Sequence, residues 1–308
     1  MSRYLVTGAA GFIGSHLCEA LEAAGHQVVA LDCFTDYYDP SLKEANAAGR
    51  AIVRADLAHA PLEPLLEGAD GVFHLAGQPG VRSFGDVFRI YLERNLLASQ
   101  RLFEAAGLAG VRVVFASSSS IYGEAEGYPT REDARPQPIS PYGITKLGCE
   151  HLARACELAF GLDAVLLRYF TVYGPRQRPD MAFTRILTAL ADGTPFELFG
   201  DGSASRGFTY VADAVAATIA AMDRGARGAA YNVGGGAEAT MTEAIELCER
   251  VSGRTLDLRR RDSAKGDVSR TAADTARIRE ALGWEANTGL EQGLEAQWAW
   301  VSAKVGRR

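Results

Sequence analysis

Short apolar runs, many of them β-branched, alternate with amphipathic stretches through the first half of the chain. Tyr4-Leu5-Val6 predicts a first strand, residues 12–24 a helix, and Val28-Val29-Ala30-Leu31 a second strand. Further strands are predicted at Ile52-Val53, Val72-Phe73-His74-Leu75, residues 111–116 and residues 164–167. Each run is short, apolar on both faces and bounded by turn residues, the pattern of strands buried in a parallel sheet. Such alternation specifies right-handed βαβ crossovers and a doubly wound sheet. The second half is less regular, with breakers at Gly174-Pro175, Gly200-Asp201-Gly202 and Gly234-Gly235-Gly236. The expected fold class is therefore α/β in two lobes. Residues 1–170 form the doubly wound lobe and residues 171–308 a smaller α/β lobe, some of whose segments return to the first. A helix is predicted over residues 86–108, apolar on more than one side (Val87, Phe88, Ile90, Leu92, Leu96, Leu97, Leu102, Phe103). One stripe suits the sheet; the surplus, with Leu147 and Leu152, predicts a partner helix pair.

Composition narrows the ligand. At 308 residues the chain fits one large unit or two joined ones, and 32 Lys+Arg against 38 Asp+Glu give a net charge of −6. That balance argues against nucleic acid and anionic membranes as partners. No apolar run approaches the ~18–20 residues needed to span a bilayer. The residues after Met1 run directly into the first strand, unlike a signal peptide. Five scattered cysteines without C-x-x-C predict reduced, buried and inert thiols in the cytoplasm and no metal site. A cytoplasmic protein with a small-molecule ligand is expected.

Thr7-Gly8-Ala9-Ala10-Gly11-Phe12-Ile13-Gly14 places G-x-x-G-x-x-G between a predicted strand and helix. The first two glycines permit a sharp turn and close approach to a pyrophosphate. Gly14 permits close packing of helix on sheet, and the helix N-terminus offers free N–H groups to the phosphates. Asp32 ends the next strand, where a carboxylate accepts hydrogen bonds from the adenosine ribose and repels a 2′-phosphate, favouring NAD over NADP. Asp56-Leu57, after the third strand, suits an adenine contact.

Ser140-Pro141-Tyr142-Gly143-Ile144-Thr145-Lys146 predicts a helix start, with Ser140 as N-cap and Pro141 in the first turn. Tyr142 and Lys146 then stack at i and i+4. A free phenol titrates near ~10, so service as a base near neutrality requires about 4 kcal/mol of preferential stabilisation of its anion. A neighbouring ammonium, a helix N-terminus and an oxidised nicotinamide all act in that direction. Ser117-Ser118-Ser119-Ser120 follows a strand at the sheet edge where such folds bind ligands, and one hydroxyl there can share the substrate proton.

With these residues together, the chain resembles the extended short-chain dehydrogenase/reductase (NAD-dependent epimerase/dehydratase) family, and within it the UDP-glucuronate 4-epimerases. The carrying segments are the glycine loop, the Tyr142/Lys146 pair, Asp32–Pro40, the stretch from Gln78 to Ser83, Ser117–Gly123, and Arg168-Tyr169-Phe170-Thr171-Val172-Tyr173-Gly174-Pro175-Arg176-Gln177-Arg178-Pro179-Asp180-Met181-Ala182. The resemblance spans essentially the whole chain. It implies a Rossmann-type sheet and a catalytic triad of Ser118, Tyr142 and Lys146. For NAD it implies Gly8, Gly11, Phe12, Ile13, Gly14, Asp32, Asp56, Leu57, Leu75, Ala76, Gly77, Gln78 and Tyr169 besides Tyr142 and Lys146. For a UDP-sugar it implies Arg82, Ser119, Ser120, Thr171, Arg178, Arg206 and Arg270, with Lys265 as a further cation. It also implies a homodimer through a four-helix bundle.

The implied reaction is oxidation at C4, rotation of the 4-keto sugar and re-reduction from the other face, most simply UDP-glucuronate to UDP-galacturonate. A 4,6-dehydratase needs a carboxyl pair just after the triad hydroxyl, and the decarboxylases that resemble this chain carry a Glu there. Ser119 and Ser120 cannot do acid–base work near neutrality. A 4-keto uronate is a β-keto acid prone to lose CO2, and hydroxyls of Ser119, Ser120 and Thr171 holding its carboxylate would suppress that loss. The alternatives are a UDP-glucose or UDP-N-acetylglucosamine 4-epimerase, a UDP-glucuronate decarboxylase, and a catalytically silent NAD-binding regulator. Two positions depart from the family pattern. Gly207 replaces the Asp that often follows the arginine at 206, leaving Arg206 without that partner, and Gly77 replaces an Ala. His74 is expected to be a packed strand histidine, and Tyr37-Tyr38 either loop packing or cofactor cover.

Overall fold

The computed structural model describes residues 1–80, 85–262 and 268–305. The chain begins β1 (Arg3–Thr7), α1 (Phe12–Ala23), β2 (Gln27–Asp32), α2 (Pro40–Ala47), β3 (Ile52–Arg54), α3 (Glu63–Leu66) and β4 (Gly71–His74). It continues through α4 (Phe88–Tyr91), α5 (Ala98–Ala109), β5 (Arg112–Ser118), α6 (Pro141–Phe160), β6 (Ala164–Tyr169) and β7 (Thr171–Tyr173). Then follow α7 (Ala182–Asp192), β8 (Phe196–Phe199), β9 (Ser205–Tyr210), α8 (Val211–Arg224), β10 (Ala230–Val233), β11 (Ala237–Thr240) and α9 (Met241–Ser252). β12 (Leu258–Arg261), β13 (Arg270–Thr271), α10 (Ala276–Leu282) and α11 (Leu290–Val305) complete the described part.

Seven strands form one parallel sheet in the order β10-β6-β5-β4-β1-β2-β3. The order reverses between β1 and β4, and open sheets of this kind bind ligands at that switch point, beyond the strand C-termini. Apolar strand residues feed a core on each face. Val6, Phe73, Val114, Val165 and Leu167 meet α1, α8 and α10, whereas Leu5, Val72, Val113 and Phe115 meet α5 and α6. β3 departs from the expected double burial: it is the sheet edge, and Val53 is exposed.

The smaller lobe has its own core, in which α7, α9 and α11 pack on β8 and β9. β9 is flanked by β11, β13 and β7, and β12 pairs with β8. The two lobes share chain. α8, β10 and α10, all beyond residue 170, pack on or extend the large sheet. No described helix is long and apolar enough to cross a membrane.

The helix expected over 86–108 is not one regular element. A 3-10 turn (Gly85–Val87) leads into α4, a π-helical segment covers Leu92–Leu97, and α5 follows. A π segment widens the turn and shifts the side-chain register. This shift, as well as an outward apolar face, explains why the apolar residues fall on more than one side. Phe88, Ile90, Leu92 and Leu97 are exposed.

Candidate active site

A cleft of about 850 Å³ lies along the C-terminal edge of the large sheet and extends beneath the smaller lobe. One end is built by the β1–α1 loop. Gly8 has φ +72°, and a Cβ there would stand 2.8 Å from Ala76 N. A Cβ on Gly11 would stand 3.0 Å from Gly8 O, and one on Gly14 would collide with the same oxygen. The loop is thus pressed against the β4 exit and the first turn of α1, with no room for a side chain at Gly8 or Gly14 and a tight fit at Gly11. α1 has no side-chain cap, so its N-terminal N–H groups remain available to an anion. Asp32, buried at the end of β2, accepts from Ala10 N at 3.1 Å and Phe34 N at 2.8 Å, one bond on each carboxylate oxygen. These bonds fix the carboxylate while leaving lone pairs toward the cleft. Asp56 and Leu57 line the same end, as do Tyr37, Tyr38 and Lys43.

Below this end His74 is fully buried and bridges Thr7 Oγ1 at 2.8 Å and Ser99 Oγ at 3.0 Å. Burial, helped by the nearby Lys146 ammonium, lowers its pKa to about 3. It is therefore a neutral strut between β1, β4 and α5, as expected of a packed strand histidine.

The other end joins β5 to α6. β5 runs two residues further than predicted, so Ser117 and Ser118 are strand residues and Ser119–Ile121 forms a 3-10 turn. Ser118 Oγ accepts from Ser120 N and donates to Ser120 Oγ, both at 3.1 Å. Ser140 caps α6 through Gly143 N at 3.1 Å, with Pro141 in the first turn, as the sequence predicts. Gly143 lies against Ser120 O, where a Cβ would collide, so the start of α6 comes directly beside the serine turn. Tyr142 thereby lines the cleft with Ser118, Ser119 and Ser120. Lys146 is buried; its Nζ donates to Ala116 O at 2.8 Å and lies 5.8 Å from the Tyr142 ring centre.

Behind the cleft, Arg168 on β6 grips Glu150 on α6 through Nε at 3.0 Å and Nη2 at 2.8 Å. Their side chains are only 9% and 7% exposed. Ser117 Oγ donates to Glu150 at 2.5 Å, and Arg168 also reaches Tyr122 Oη and Glu132 O, each at 2.8 Å. Glu150 follows Tyr142 and Lys146 at the next i+4 step, so this pair clamps the face of α6 that bears them onto β5 and β6.

Residues 4–234 match the NAD dependent epimerase/dehydratase family. The chain belongs to that family. A UDP-glucose epimerase of Bacillus subtilis named YtcB, described as uncharacterized, is 42% identical over 311 residues, covering 98% of each chain. The UDP-glucuronate 4-epimerase of Thermodesulfobacterium geofontis is 35% identical over 320 residues, covering 99% of this chain and 98% of its own. The crystal structure of UDP-glucuronic acid 4-epimerase from Bacillus cereus with UDP-glucuronic acid and NAD superposes with a TM-score of 0.94 at 38% identity, covering 98% of this chain and 99% of the other.

As in the rest of the NAD-dependent epimerase/dehydratase family, the cofactor is NAD. The side-chain-free glycine cradle, the uncapped helix and the preset Asp32 carboxylate fit its pyrophosphate and ribose. Among the residues expected at the cofactor end, Phe12, Ile13, Leu75, Ala76, Gly77 and Tyr169 also line the cleft. Gln78 does not: it is buried, its N–H bonded to Asn95 Oδ1 at 2.7 Å and its Oε1 to Arg94 at 3.0 Å. At Gly77 an alanine Cβ would make a tight 3.0 Å contact with Asn95 Oδ1 and an ordinary 3.4 Å contact with Lys146 Nζ.

Of the residues expected at a UDP-sugar, the structure brings Ser119, Ser120, Thr171, Arg178 and Arg206 together along the cleft. It does not bring Arg270 there. Arg270 is exposed and bound to Glu238 at 2.7 and 2.9 Å, an acid far away in sequence that spacing gave no means to pair with it. Arg82 and Lys265 lie outside the described residues. Arg206 has not lost its anchorage to the glycine at 207: its Nη1 donates to Ser205 O and its Nη2 to Val268 O, both at 2.8 Å.

Sequence reasoning missed Lys43, Arg94 and Arg185, all of which line the cleft. Arg185 is one turn into α7, and the strong periodicity of Phe183, Ile186, Leu187 and Leu190 could have placed it on the non-core face. Cys33 corrects the expectation of buried cysteines: it is exposed at the cofactor end, while the other four are buried. Partial burial and the neighbouring Asp32 raise its pKa, which disfavours a reactive thiolate.

Proposed function

We propose that the protein is an NAD-dependent UDP-sugar 4-epimerase converting UDP-glucuronate and UDP-galacturonate, with Ser118, Tyr142 and Lys146 as catalytic residues. The observation that carries this reading is the serine turn: the two residues after Ser118 that enter the cleft are hydroxyls, not carboxylates. Two acids beside this turn are engaged elsewhere, and Asp180 in the cleft is paired with Arg178. Glu150 is buried against Arg168, and Glu124 is bound to Ser269 and Tyr128. The relatives named above support a UDP-sugar and, in two of the three, a uronate.

NAD, held by the glycine loop and Asp32, would supply a reversible hydride acceptor for C4. Tyr142 accepts the C4 hydroxyl proton as the carbonyl forms and returns it after the sugar has turned, with Ser118 sharing that proton. Lys146, anchored on Ala116 O, supplies positive charge near the phenol. Ser119, Ser120 and Thr171 donate to the C6 carboxylate, keeping the C5–C6 bond out of alignment with the C4 carbonyl and so suppressing loss of CO2. Arg206 and Arg178 supply cations to the diphosphate and the sugar. The apolar stretch of Leu198, Phe208 and Met241 receives the uracil. Incubation in parallel with UDP-glucuronate, UDP-glucose and UDP-N-acetylglucosamine tests the reading. The expected result is a 4-epimer of the uronate without pentose, with Thr171→Ala raising KM for the uronate or releasing pentose. Turnover of UDP-glucose alone would refute the uronate assignment.

The exposed Phe88, Ile90, Leu92 and Leu97, with Ile144 and Leu158 on α6, form an apolar surface suited to a second copy of the chain across a two-fold axis. Light scattering after size exclusion should give twice the chain mass, and Leu97→Glu should give the monomer.

A further inference from the structure

Arg178 is half-buried at the sugar end, within electrostatic reach of the Tyr142 phenol. Its guanidinium is already engaged. Nε donates to Asp180 Oδ1 and Nη2 to Asp180 Oδ2, both at 3.0 Å, while no bond from Nη1 to a described residue is seen. Asp180 is itself held from the opposite lobe, since Tyr37, in the loop after β2, donates to Asp180 Oδ2 at 3.3 Å. The Tyr37 hydroxyl lies over Gly80, where a Cβ would come within 2.8 Å, and Gly80 O accepts from Tyr91 Oη at 2.5 Å. Gly80 has φ +109°, a conformation that favours glycine. A strap of side chains thus runs from the cofactor lobe to an arginine within electrostatic reach of the reacting phenol.

We propose that Asp180 is a specificity-determining positioning residue: a built-in countercharge that weakens the hold of Arg178 on the substrate carboxylate so that the 4-keto sugar can turn. The proposal rests on the uronate reading above. An uncompensated guanidinium in a partly desolvated cleft would grip a carboxylate in a bidentate pair. Epimerisation requires the sugar ring to leave one orientation and settle in another, so ground-state grip that is not relaxed during rotation lowers turnover instead of raising it. Asp180 occupies the Nε/Nη2 edge of the guanidinium and offsets its charge, leaving the Nη1 hydrogens and the second Nη2 hydrogen to meet a ligand. Neutral hexoses lack the carboxylate and are indifferent to this balance.

The test uses the full-length protein with NAD and measures Kd by calorimetry for UDP-glucuronate and UDP-glucose, together with kcat and KM for the uronate. Asp180→Asn keeps the size and one acceptor and removes the charge. It should tighten UDP-glucuronate about 3–10-fold, leave UDP-glucose within 2-fold, and lower kcat and KM together. In an Arg178→Met background the same substitution should have no effect on either ligand, the coupling expected of residues acting as a unit. Equal changes for both sugars, weaker uronate binding, or an effect that persists without Arg178 would overturn the proposal. The wild-type arm separately decides the uronate reading, which fails if UDP-glucose binds and UDP-glucuronate does not.

Discussion

Phenylalanine at position 142 is expected to lower kcat for the epimerisation by about 10³–10⁴-fold, equivalent to roughly 4–5.5 kcal/mol of lost transition-state stabilisation. The substitution removes one oxygen and leaves the ring that lies near Lys146. The helix start does not depend on that oxygen, because Ser140 caps α6 through Gly143 N and Pro141 sets the first turn. The cofactor loop is on another element, and among the described residues it makes no hydrogen bond to the phenol. NAD affinity and KM should therefore stay within a few-fold of wild type. Single-turnover measurement of cofactor reduction on mixing with substrate isolates the step, since a slow product release would leave it unchanged. A loss in kcat of less than tenfold would show that another group accepts the C4 proton, and Ser118 would be the first candidate.

The second large effect concerns stability. Arg168→Met should lower stability by about 3–5 kcal/mol, because it leaves the buried Glu150 carboxylate without its countercharge. Burial alone disfavours the charged guanidinium, but the bonds to Glu150 more than offset this and raise its pKa. The expected fall in Tm is roughly 5–15 °C by differential scanning fluorimetry. The double variant Arg168→Met with Glu150→Met should recover much of the loss, since apolar replacement of a buried pair is often close to neutral. If the double variant is no better than the single one, the bonds from Arg168 to Tyr122 and Glu132 are the more important part.

Six strands of the large sheet were legible as short apolar runs, whereas the buried β10, which joins from beyond residue 170, was not predicted. The glycine loop was legible from its spacing between a strand and a helix, and the fold leaves no room for a Cβ at Gly8 or Gly14. Tyr142 and Lys146 were legible because capping chemistry fixes the helix start and an i+4 spacing fixes the shared face. The glycine at 143 was equally visible, but its meaning was not, since only the fold shows that it lies against Ser120 O. Long-range partners were beyond spacing. The pairs Arg270 with Glu238, Arg168 with Glu150, and Tyr37 with Asp180 join residues from different elements. The same holds for the cleft-lining Lys43, Arg94 and Arg185, ordinary surface cations until the topology brings them to the cleft. The break at Leu92–Leu97 had a sign in the sequence, an apolar pattern too broad for one helical stripe, which had a second and simpler explanation as a docking face.

The seventh strand of the cofactor sheet has a consequence for synthesis. Domains emerging from the ribosome tend to fold as units from the N-terminus, yet β6 has an unpaired edge until Ala230–Val233 arrives. The Tyr169 hydroxyl likewise waits for Thr218, which it meets at 2.6 Å. Some sixty residues of the smaller lobe must therefore be made while the cofactor sheet still exposes a strand edge, the kind of edge that invites pairing with another chain.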